Sequence, residues 1–298
     1  MKNLFLILSI LIGQCCYSQT RGNKQIETRT FKTETIENIK INLYAAITID
    51  GNLPNGITIS ADTNLFELID KEVFNKTLSL EQLEWIQPSE KIKIVIGAPS
   101  LKRLETGVNS TTIVKNIKAD TLRIMNLLGK IKISGKANFL SVGGEIGTLD
   151  ATDLIVQNAT VKYWGAGRAI VNVKGKLEAE AADGCIIQYS TKPESLSKKE
   201  LGEGMVLSTS EYEKIPKTTT RYIRFKIKNN SGSRKQFFVS GPKPEGGRFG
   251  YGFPMSKNEI RKENWTIGSN IYTVNKLGIR TKIYKVKAED EDQIVELF

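Results

Sequence analysis

The sequence predicts an all-β protein in two parts, a β-solenoid-like domain of short coils followed by a small immunoglobulin-like β-sandwich. Three patterns indicate this fold class. Short runs of Ile, Val and Thr alternate with polar residues along most of the chain and are interrupted by Gly, Asn and Asp. From residue 101 these runs recur about every 20 residues. The run at residues 221–228 alternates without a break, as an exposed antiparallel strand does.

Residues 1–18 are typical of a secretory signal peptide. A short basic start precedes an apolar run over residues 4–12, which is too short for the roughly 20 residues that span a bilayer. Cys16 and Ser18 place small residues three and one positions before a cut at Gln19. We therefore expect an exported protein, in the periplasm, on the outer surface or outside the cell, with no integral membrane segment in the mature chain.

The cleavage site gives a direct prediction. Mass spectrometry of the exported protein should find Gln19, or its cyclised pyroglutamate, at the N-terminus. A lipoprotein cut before Cys15 or Cys16 is one alternative, and an acylated cysteine at the new N-terminus would establish it. A buried N-terminal helix is the other alternative, and it would leave residues 1–18 in place.

The amino-acid composition excludes several classes of enzyme. The sequence contains no histidine, so Ser-His-Asp and Cys-His catalysis and His-ligated zinc are impossible. After signal removal Cys185 is the one remaining cysteine, and it cannot form an intramolecular disulfide. Its apolar neighbours predict a buried, unreactive thiol. We expect no cofactor and no metal site.

Positive charge is concentrated in the last third of the chain. Residues 19–205 carry 24 Lys and Arg against 22 Asp and Glu, whereas residues 206–298 carry 18 against 10. This step favours two domains with different roles. Because the protein is exported, nucleic acid is not the expected partner of the basic region. An anionic envelope glycan or another surface protein suits that compartment better.

The N-terminal domain, residues 19–194, begins as a series of short strands. A stretch at residues 64–73 has helical spacing and predicts a short helix. The strands are centred on apolar residues that alternate with polar ones: Ile39 and Ile41, Ile47 and Ile49, Ile57 and Ile59, Leu78 and Leu80, and Ile92, Ile94 and Ile96.

From residue 101 the domain becomes weakly repetitive. The repeats begin at intervals of about 20 residues, and each is followed by Gly or Ala at a corner. Such a period, built of short strands, is typical of a β-solenoid, in which each coil covers the apolar edge of the previous one. An antiparallel sandwich with similar strand spacing is the alternative. The repeats begin at Leu101, Leu122, Leu140, Val161 and Leu177.

A family resemblance is carried by five segments and the coils that follow them. The segments are Arg29-Thr30-Phe31, Ile39-Lys40-Ile41-Asn42, Ile47-Thr48-Ile49-Asp50-Gly51, Ile57-Thr58-Ile59-Ser60-Ala61-Asp62-Thr63-Asn64-Leu65 and Pro99-Ser100-Leu101-Lys102-Arg103-Leu104. With them, the stretch from Arg29 to about Pro193 resembles the bacterial head GIN domain family, labelled auto-transporter adhesins. The resemblance implies an exported, right-handed, solenoid-like β domain, commonly from Bacteroidetes. It covers about half of the chain and brings no catalytic signature.

The remaining chain is predicted to form a linker and a second domain. Residues 195–210 break the coil pattern with Ser, Lys and Gly and indicate a linker. Residues 211–298 form the basic domain. Its six or seven short strands, separated by turns such as residues 229–233, favour an immunoglobulin-like sandwich.

A Gly- and Pro-rich loop at residues 241–254 is the strongest candidate for a binding site. Its aromatic residues alternate with small ones and lie near cationic residues, a composition suited to stacking and pairing with sugars. Alternatively, the rings fold back onto the sandwich core. The outward Lys and Arg residues of 221–228 are most simply a solvated face. The candidate ligand-binding residues are Arg248, Phe249, Tyr251, Arg261, Lys262 and Trp265.

A second candidate site lies in the repeat region. Asp150 and Asp153 have Glu145 upstream and Arg168 one coil later, and solenoid lyases combine acids with a basic residue. The alternative is that Asp at coil corners accepts hydrogen bonds from its own backbone.

Three functions follow from these observations. The leading hypothesis is a non-enzymatic exported protein that adheres to, or binds, a glycan or polyanion. A carbohydrate-active enzyme, either a lyase or a hydrolase, built on the solenoid is the second hypothesis. A periplasmic structural or assembly factor is the third.

Overall fold

The computed structural model of the protein describes residues 19–215, 220–244, 248–275 and 278–298, so the predicted signal peptide lies outside the described residues. Nearly all of the described chain is β structure, which confirms the all-β class. Apolar side chains form two separate clusters, one within residues 36–206 and one within residues 223–297. We call the corresponding parts the N-terminal unit, residues 19–208, and the C-terminal unit, residues 220–298.

The N-terminal unit contains strands β1 to β17. A 3₁₀ helix at Thr63–Leu68 occupies part of the stretch for which the sequence predicts a short helix. The strands are β1 (Thr20–Arg21), β2 (Ile26–Lys32), β3 (Asn38–Ile41), β4 (Ala46–Asp50), β5 (Gly56–Asp62), β6 (Ile69–Asp70), β7 (Val73–Phe74), β8 (Thr77–Gln82), β9 (Ile86–Gln87), β10 (Lys93–Gly97), β11 (Arg103–Gly144), β12 (Thr148–Tyr163), β13 (Arg168–Val173), β14 (Lys176–Asp183), β15 (Ile186–Tyr189), β16 (Ser195–Gly202) and β17 (Met205–Ser208).

Parallel pairing at a nearly constant sequence offset organises the second half of this unit. One series of paired strands runs from β11 through β12, β13 and β15 to β17. A second series runs from β12 through β14 to β16. In both series each residue pairs with one about 20 residues further along the chain, which agrees with the period in the sequence. Successive partners in the first series are Lys130, Thr148, Arg168, Ile186 and Met205.

Alternation along each strand places the apolar side chains in the core. Leu149, Ala169 and Ile187 are paired partners on β12, β13 and β15, and all three are fully buried. Because partners in parallel register share a face, successive strands of the series place their apolar residues beside one another. Burying a large aliphatic side chain contributes about 1.5–3 kcal/mol, so this stack supplies much of the stability of the unit.

Glycine at position 135 is required by both backbone and packing. Gly135 has φ +128°, and a Cβ atom there would lie 2.2 Å from the carbonyl oxygen of Ile117. Gly135→Ala is therefore expected to destabilise the N-terminal unit by about 1–3 kcal/mol, measured by thermal unfolding. Gly232→Ala is the control, because a Cβ there has no neighbour within 4 Å. If Gly135→Ala were as stable as Gly232→Ala, the close contact between residue 135 and the backbone of Ile117 would be contradicted.

The linker predicted at residues 195–210 is wrong over most of its length. Strands β16 and β17 continue the two parallel series on β14 and β15. Every residue of β16 is exposed, including Lys198 and Lys199, because among the described strands only β14 pairs with it. An exposed strand at the edge of a sheet needs a polar sequence, and that composition resembled a linker. Helix α1 (Thr209–Lys214) follows, with a capping box between Ser208 and Glu211.

The C-terminal unit consists of two sheets around one apolar cluster. A three-stranded sheet has the order β21-β18-β24 and a four-stranded sheet has the order β20-β19-β22-β23. A 3₁₀ helix at Ala288–Asp290 precedes the last strand. The strands are β18 (Tyr222–Lys228), β19 (Lys235–Pro242), β20 (Arg248–Met255), β21 (Ile260–Thr266), β22 (Asn270–Val274), β23 (Arg280–Lys285) and β24 (Ile294–Glu296).

The strand order differs from the immunoglobulin arrangement predicted from the sequence. In an immunoglobulin domain the first, second, fifth and fourth strands share one sheet. Here the first strand, β18, pairs with the fourth and the seventh, and the second strand, β19, pairs with the third and the fifth. The buried side chain of Asn229 supports the change of sheet after β18, because its Nδ2 donates to the carbonyl oxygens of Ser233, Met255 and Ser256.

Candidate functional site

Three of the predicted binding residues meet in a half-buried network between the two sheets. The indole Nε1 of Trp265 donates to the hydroxyl oxygen of Tyr251 at 2.7 Å, and that hydroxyl donates to Glu263 at 3.1 Å. The guanidinium of Arg261 forms an ion pair with Glu263 and lies 4.6 Å from the ring centre of Phe253. Glu263, which the sequence analysis did not single out, therefore holds the group together.

Burial controls the ionisation of this network. Burial raises the pKa of Glu263 above its usual value, and the positive charge of Arg261 offsets only part of that effect. Burial also raises the pKa of Tyr251, whose hydroxyl stays protonated and donates to the carboxylate. Each polar group thus has a partner inside the protein, which is how buried polar groups are normally stabilised.

Trp265, which the sequence predicts as a sugar-stacking residue, has its ring buried in the core of the C-terminal unit. Its side chain is 2% exposed and packs edge-on against Phe225, with 5.7 Å between ring centres. Its inward position on β21 accounts for this, because the residue alternates with the outward Lys262 and Asn264. This position fits the alternative in which the aromatic residues fold back onto the core.

Arg248 and Phe249 lie at a different place, at the start of β20 beside the N-terminal unit. Arg248 forms an ion pair with Glu203 at 3.1 Å, and its Nε donates to the hydroxyl of Ser240 at 3.3 Å. Its side chain is 21% exposed, so most of it is occupied by these contacts. Phe249 is partly buried and packs against the C-terminal core. Arg248 therefore connects the C-terminal unit to the N-terminal unit through its ion pair with Glu203.

Lys262 lies on the opposite face of β21 from Arg261, in a surface groove. The groove has a volume of about 450 Å³ and lies on the outer face of the three-stranded sheet. Lys226 of β18 is the direct cross-strand partner of Lys262, and Arg224 is the partner of Asn264. We call this feature the cationic groove and define it by Arg224, Lys226, Lys262, Asn264 and Asp292.

The cations of the groove have no partner among the described residues. Arg224, Lys226 and Lys262 are exposed, and none of them forms an ion pair or a side-chain hydrogen bond within the part of the chain that the structure describes. Other cations of this unit do find carboxylates: Arg221 pairs with Glu291 and Lys228 with Glu296. The groove therefore brings together three cations that form no ion pair among the described residues, beside the exposed carboxylate of Asp292 and the buried carboxylate of Glu263.

The cross-strand pairing of Lys226 with Lys262 does not help to stabilise the fold. Lys226 and Lys262 stand directly opposite one another on antiparallel strands, where side-chain Cβ atoms lie about 4.5–5.5 Å apart. Like charges in this position destabilise a strand pair. An anion between the two ammonium groups would relieve the repulsion, so the groove is suited to bind negative charge.

The second candidate site does not assemble as an acid–base pair. Asp150 accepts a hydrogen bond from the backbone nitrogen of Thr152 at 3.2 Å, which is the turn interaction left open by the sequence. Asp153 lies 3.8 Å from Lys132. Arg168 is engaged elsewhere, because its Nη2 donates to Gln188 at 3.0 Å and its guanidinium lies 4.5 Å from the ring centre of Tyr212.

The described residues form neither a metal site nor a membrane-spanning helix. No group of three or more Asp, Glu and Cys side chains within the described ranges could hold a metal ion. None of the helices in the described part of the chain is long and apolar enough to cross a membrane.

Cys185 is fully buried and its Sγ donates to the carbonyl oxygen of Tyr163 at 3.0 Å. Burial raises the pKa of its thiol to about 11, which confirms an unreactive cysteine.

Only some residues of the cationic groove could be identified from the sequence. Alternation along 221–228 places Arg224 and Lys226 outward, and the sequence analysis interpreted them as a solvated face. It did not identify Asn264 and Asp292. The missing information was the pairing of β18 with β21, which brings Lys262 opposite Lys226 although the two lysines are far apart in the sequence.

Solved structures resemble the chain in fold. A "putative adhesin" from Bacteroides fragilis NCTC 9343 aligns with a TM-score of 0.53 and 18% identity over 63% of this chain and 99% of that chain. A "putative adhesin" from Parabacteroides distasonis ATCC 8503 aligns with a TM-score of 0.43, 16% identity and coverages of 64% and 100%. A "putative lipid binding protein" from the same species and strain gives 0.41, 19%, 64% and 100%.

The similarity to the Bacteroides fragilis structure, at 18% identity, concerns the fold alone. The two Parabacteroides distasonis structures align with lower TM-scores and support no conclusion about this chain. No curated protein matches the sequence. The sequence profile described as "Putative auto-transporter adhesin, head GIN domain" matches residues 36–193, which is more than half of the chain. The chain therefore belongs to the head GIN domain family.

Proposed function

We propose that the protein is an exported, non-enzymatic envelope protein that binds an anionic glycan through its C-terminal unit. The observation that carries this proposal is the cationic groove, where Arg224, Lys226 and Lys262 converge and form no ion pair with any described carboxylate, although Asp292 also lines the groove. The excess of 18 Lys and Arg over 10 Asp and Glu in residues 206–298 extends the same field over the unit. Membership of an adhesin-type family supports a surface role.

In this proposal the N-terminal unit is the scaffold. We propose that its parallel strands form a right-handed β-solenoid, supported by pairing at a steady offset of about 20 residues along the main series. We also propose that the C-terminal unit is a separate domain, supported by its own apolar cluster and its own two sheets. A stack of coils of this kind is rigid and would carry the basic domain away from its attachment point.

The proposal is tested by binding of the full-length exported protein to immobilised polysaccharides. We expect binding to an anionic polysaccharide, either phosphomannan or polygalacturonate, and no binding to neutral dextran. Because exposed charges are screened over about 8–10 Å, the interaction should weaken strongly from low to high salt. Equal, salt-independent binding to charged and neutral polymers would contradict an electrostatic role.

Location is tested separately, on intact cells. We expect external protease to digest the protein without prior permeabilisation of the outer membrane. Complete protection from protease would place the protein in the periplasm and would favour a structural or assembly role over adhesion.

A further inference from the structure

We propose that the cationic groove recognises a phosphate group of an envelope glycan, in preference to the carboxylates of a polyuronate. This inference rests on the proposed function and specifies its ligand. The geometry that points to it is the close grouping of three donors. Arg224 and Lys226 are two residues apart on one face of β18, which corresponds to about 7 Å along a strand, and Lys262 stands directly across from Lys226.

A compact cluster of this kind suits a group that concentrates its charge. A phosphate monoester carries about −1.5 to −2 charges on three oxygens at pH 7, whereas a carboxylate carries one charge on two oxygens. The guanidinium of Arg224 can donate two parallel hydrogen bonds to a phosphate, and the two ammonium groups can act as point charges on the remaining oxygen. A single phosphate would thereby compensate the repulsion between Lys226 and Lys262.

The other two groove residues favour a sugar over a membrane surface as the carrier of the phosphate. Asn264 lies opposite Arg224, and its amide offers both a donor and an acceptor. Asp292 is exposed at the groove, and its backbone nitrogen donates to the carbonyl oxygen of Arg224 at 2.7 Å. A carboxylate at this position repels any phosphate, but a phosphorylated sugar can offset that repulsion because its hydroxyls donate hydrogen bonds to the carboxylate.

The test compares phosphomannan with polygalacturonate on the full-length protein, using a charge-conserving variant. Arg224→Lys keeps the positive charge and removes the bidentate fork, which can pair with phosphate and with carboxylate. We therefore expect phosphomannan binding to weaken about five- to tenfold and polygalacturonate binding to weaken less, so that the preference for phosphate is lost. Lys226→Ala and Lys262→Ala should weaken binding to both polymers. Lys257→Ala removes an exposed cation outside the groove and is expected to change neither.

The possible results distinguish the phosphate assignment from the proposed function of glycan binding. Tighter binding of phosphomannan, lost in Arg224→Lys, supports the phosphate site. Equal binding of both polymers with no effect of Arg224→Lys overturns the phosphate assignment and leaves the proposed function intact. Absence of binding to either polymer overturns both. Binding to phosphatidylglycerol vesicles in place of phosphomannan would overturn the glycan as the carrier of the phosphate.

Discussion

Trp265→Ala is expected to lower the free energy of unfolding of the C-terminal unit by about 3–5 kcal/mol, the range for removal of a buried aromatic side chain. Trp265 is 2% exposed, and its ring packs within 5.7 Å of Phe225 and 5.8 Å of Phe253, measured between ring centres. The substitution also leaves the hydroxyl of Tyr251 without the donor at 2.7 Å. Calorimetry of the full-length protein would measure the effect.

If the two units are separate domains, this substitution should lower one unfolding transition and leave the other in place. Trp85→Ala is the matched control, because Trp85 is 71% exposed and its removal should change stability by no more than about 0.5 kcal/mol. Unchanged stability in Trp265→Ala together with loss of glycan binding would restore Trp265 as a ligand-stacking residue and contradict the core assignment.

Asp62→Ala is expected to destabilise the N-terminal unit by about 3 kcal/mol, since a hydrogen bond to a charged group contributes about 1.5–3 kcal/mol. The carboxylate is fully buried and accepts three hydrogen bonds. The donors are the backbone nitrogen of Lys24 at 2.7 Å, the backbone nitrogen of Ser89 at 2.9 Å and the hydroxyl of Ser89 at 2.6 Å. Asp62 therefore fastens the segment near residue 24 to the core.

The same carboxylate makes stability depend on pH. Burial acts to raise the pKa of Asp62, but the hydrogen bonds from Ser89 and Lys24 outweigh burial and lower it. Because the folded protein prefers the ionised form, its contribution is fully present above the unfolded pKa of about 3.9 and is lost as pH falls through the lowered value. Denaturation followed from pH 7 to pH 2 should show a larger loss of stability in wild type than in Asp62→Ala, where other carboxylates with lowered pKa values, such as Asp50 and Glu37, still contribute.

Asp153→Asn is the control for both measurements. Asp153 is 60% exposed and lies 3.8 Å from Lys132, so its removal should change stability by less than about 1 kcal/mol. A loss of stability in Asp153→Asn as large as that in Asp62→Ala would contradict the special role of the buried carboxylate.

The sequence predicted those parts of the fold that depend on local pattern. Alternation identifies strands such as β18, and the recurrence at about 20 residues anticipates the offsets between paired parallel strands, because both follow from which side chains must be buried. Strand β16 was missed since nothing among the described residues covers it and its exposed side chains lack the apolar signal. The order of strands in the C-terminal unit depends on long-range pairing, which alternation does not encode.

The candidate site was predicted in composition but not in geometry. Residues close in sequence separate onto two faces: Arg261 and Trp265 turn inward to Glu263 and Tyr251, while Lys262 turns outward. A strand inverts side chains at every residue, so neighbours in sequence cannot share a flat binding surface. The three cations of the cationic groove instead come from β18 and β21, and only the pairing of those strands brings them together.

Lysine footprinting tests the central claim most directly, namely that an anionic glycan occupies the cationic groove. The full-length protein would be acetylated with and without phosphomannan, and the reactivity of each lysine measured by mass spectrometry. We expect protection of Lys226 and Lys262, with the exposed Lys257 and Lys282 reacting equally in both samples. Protection of Lys257 and Lys282 with full reactivity of Lys226 and Lys262 would contradict the account.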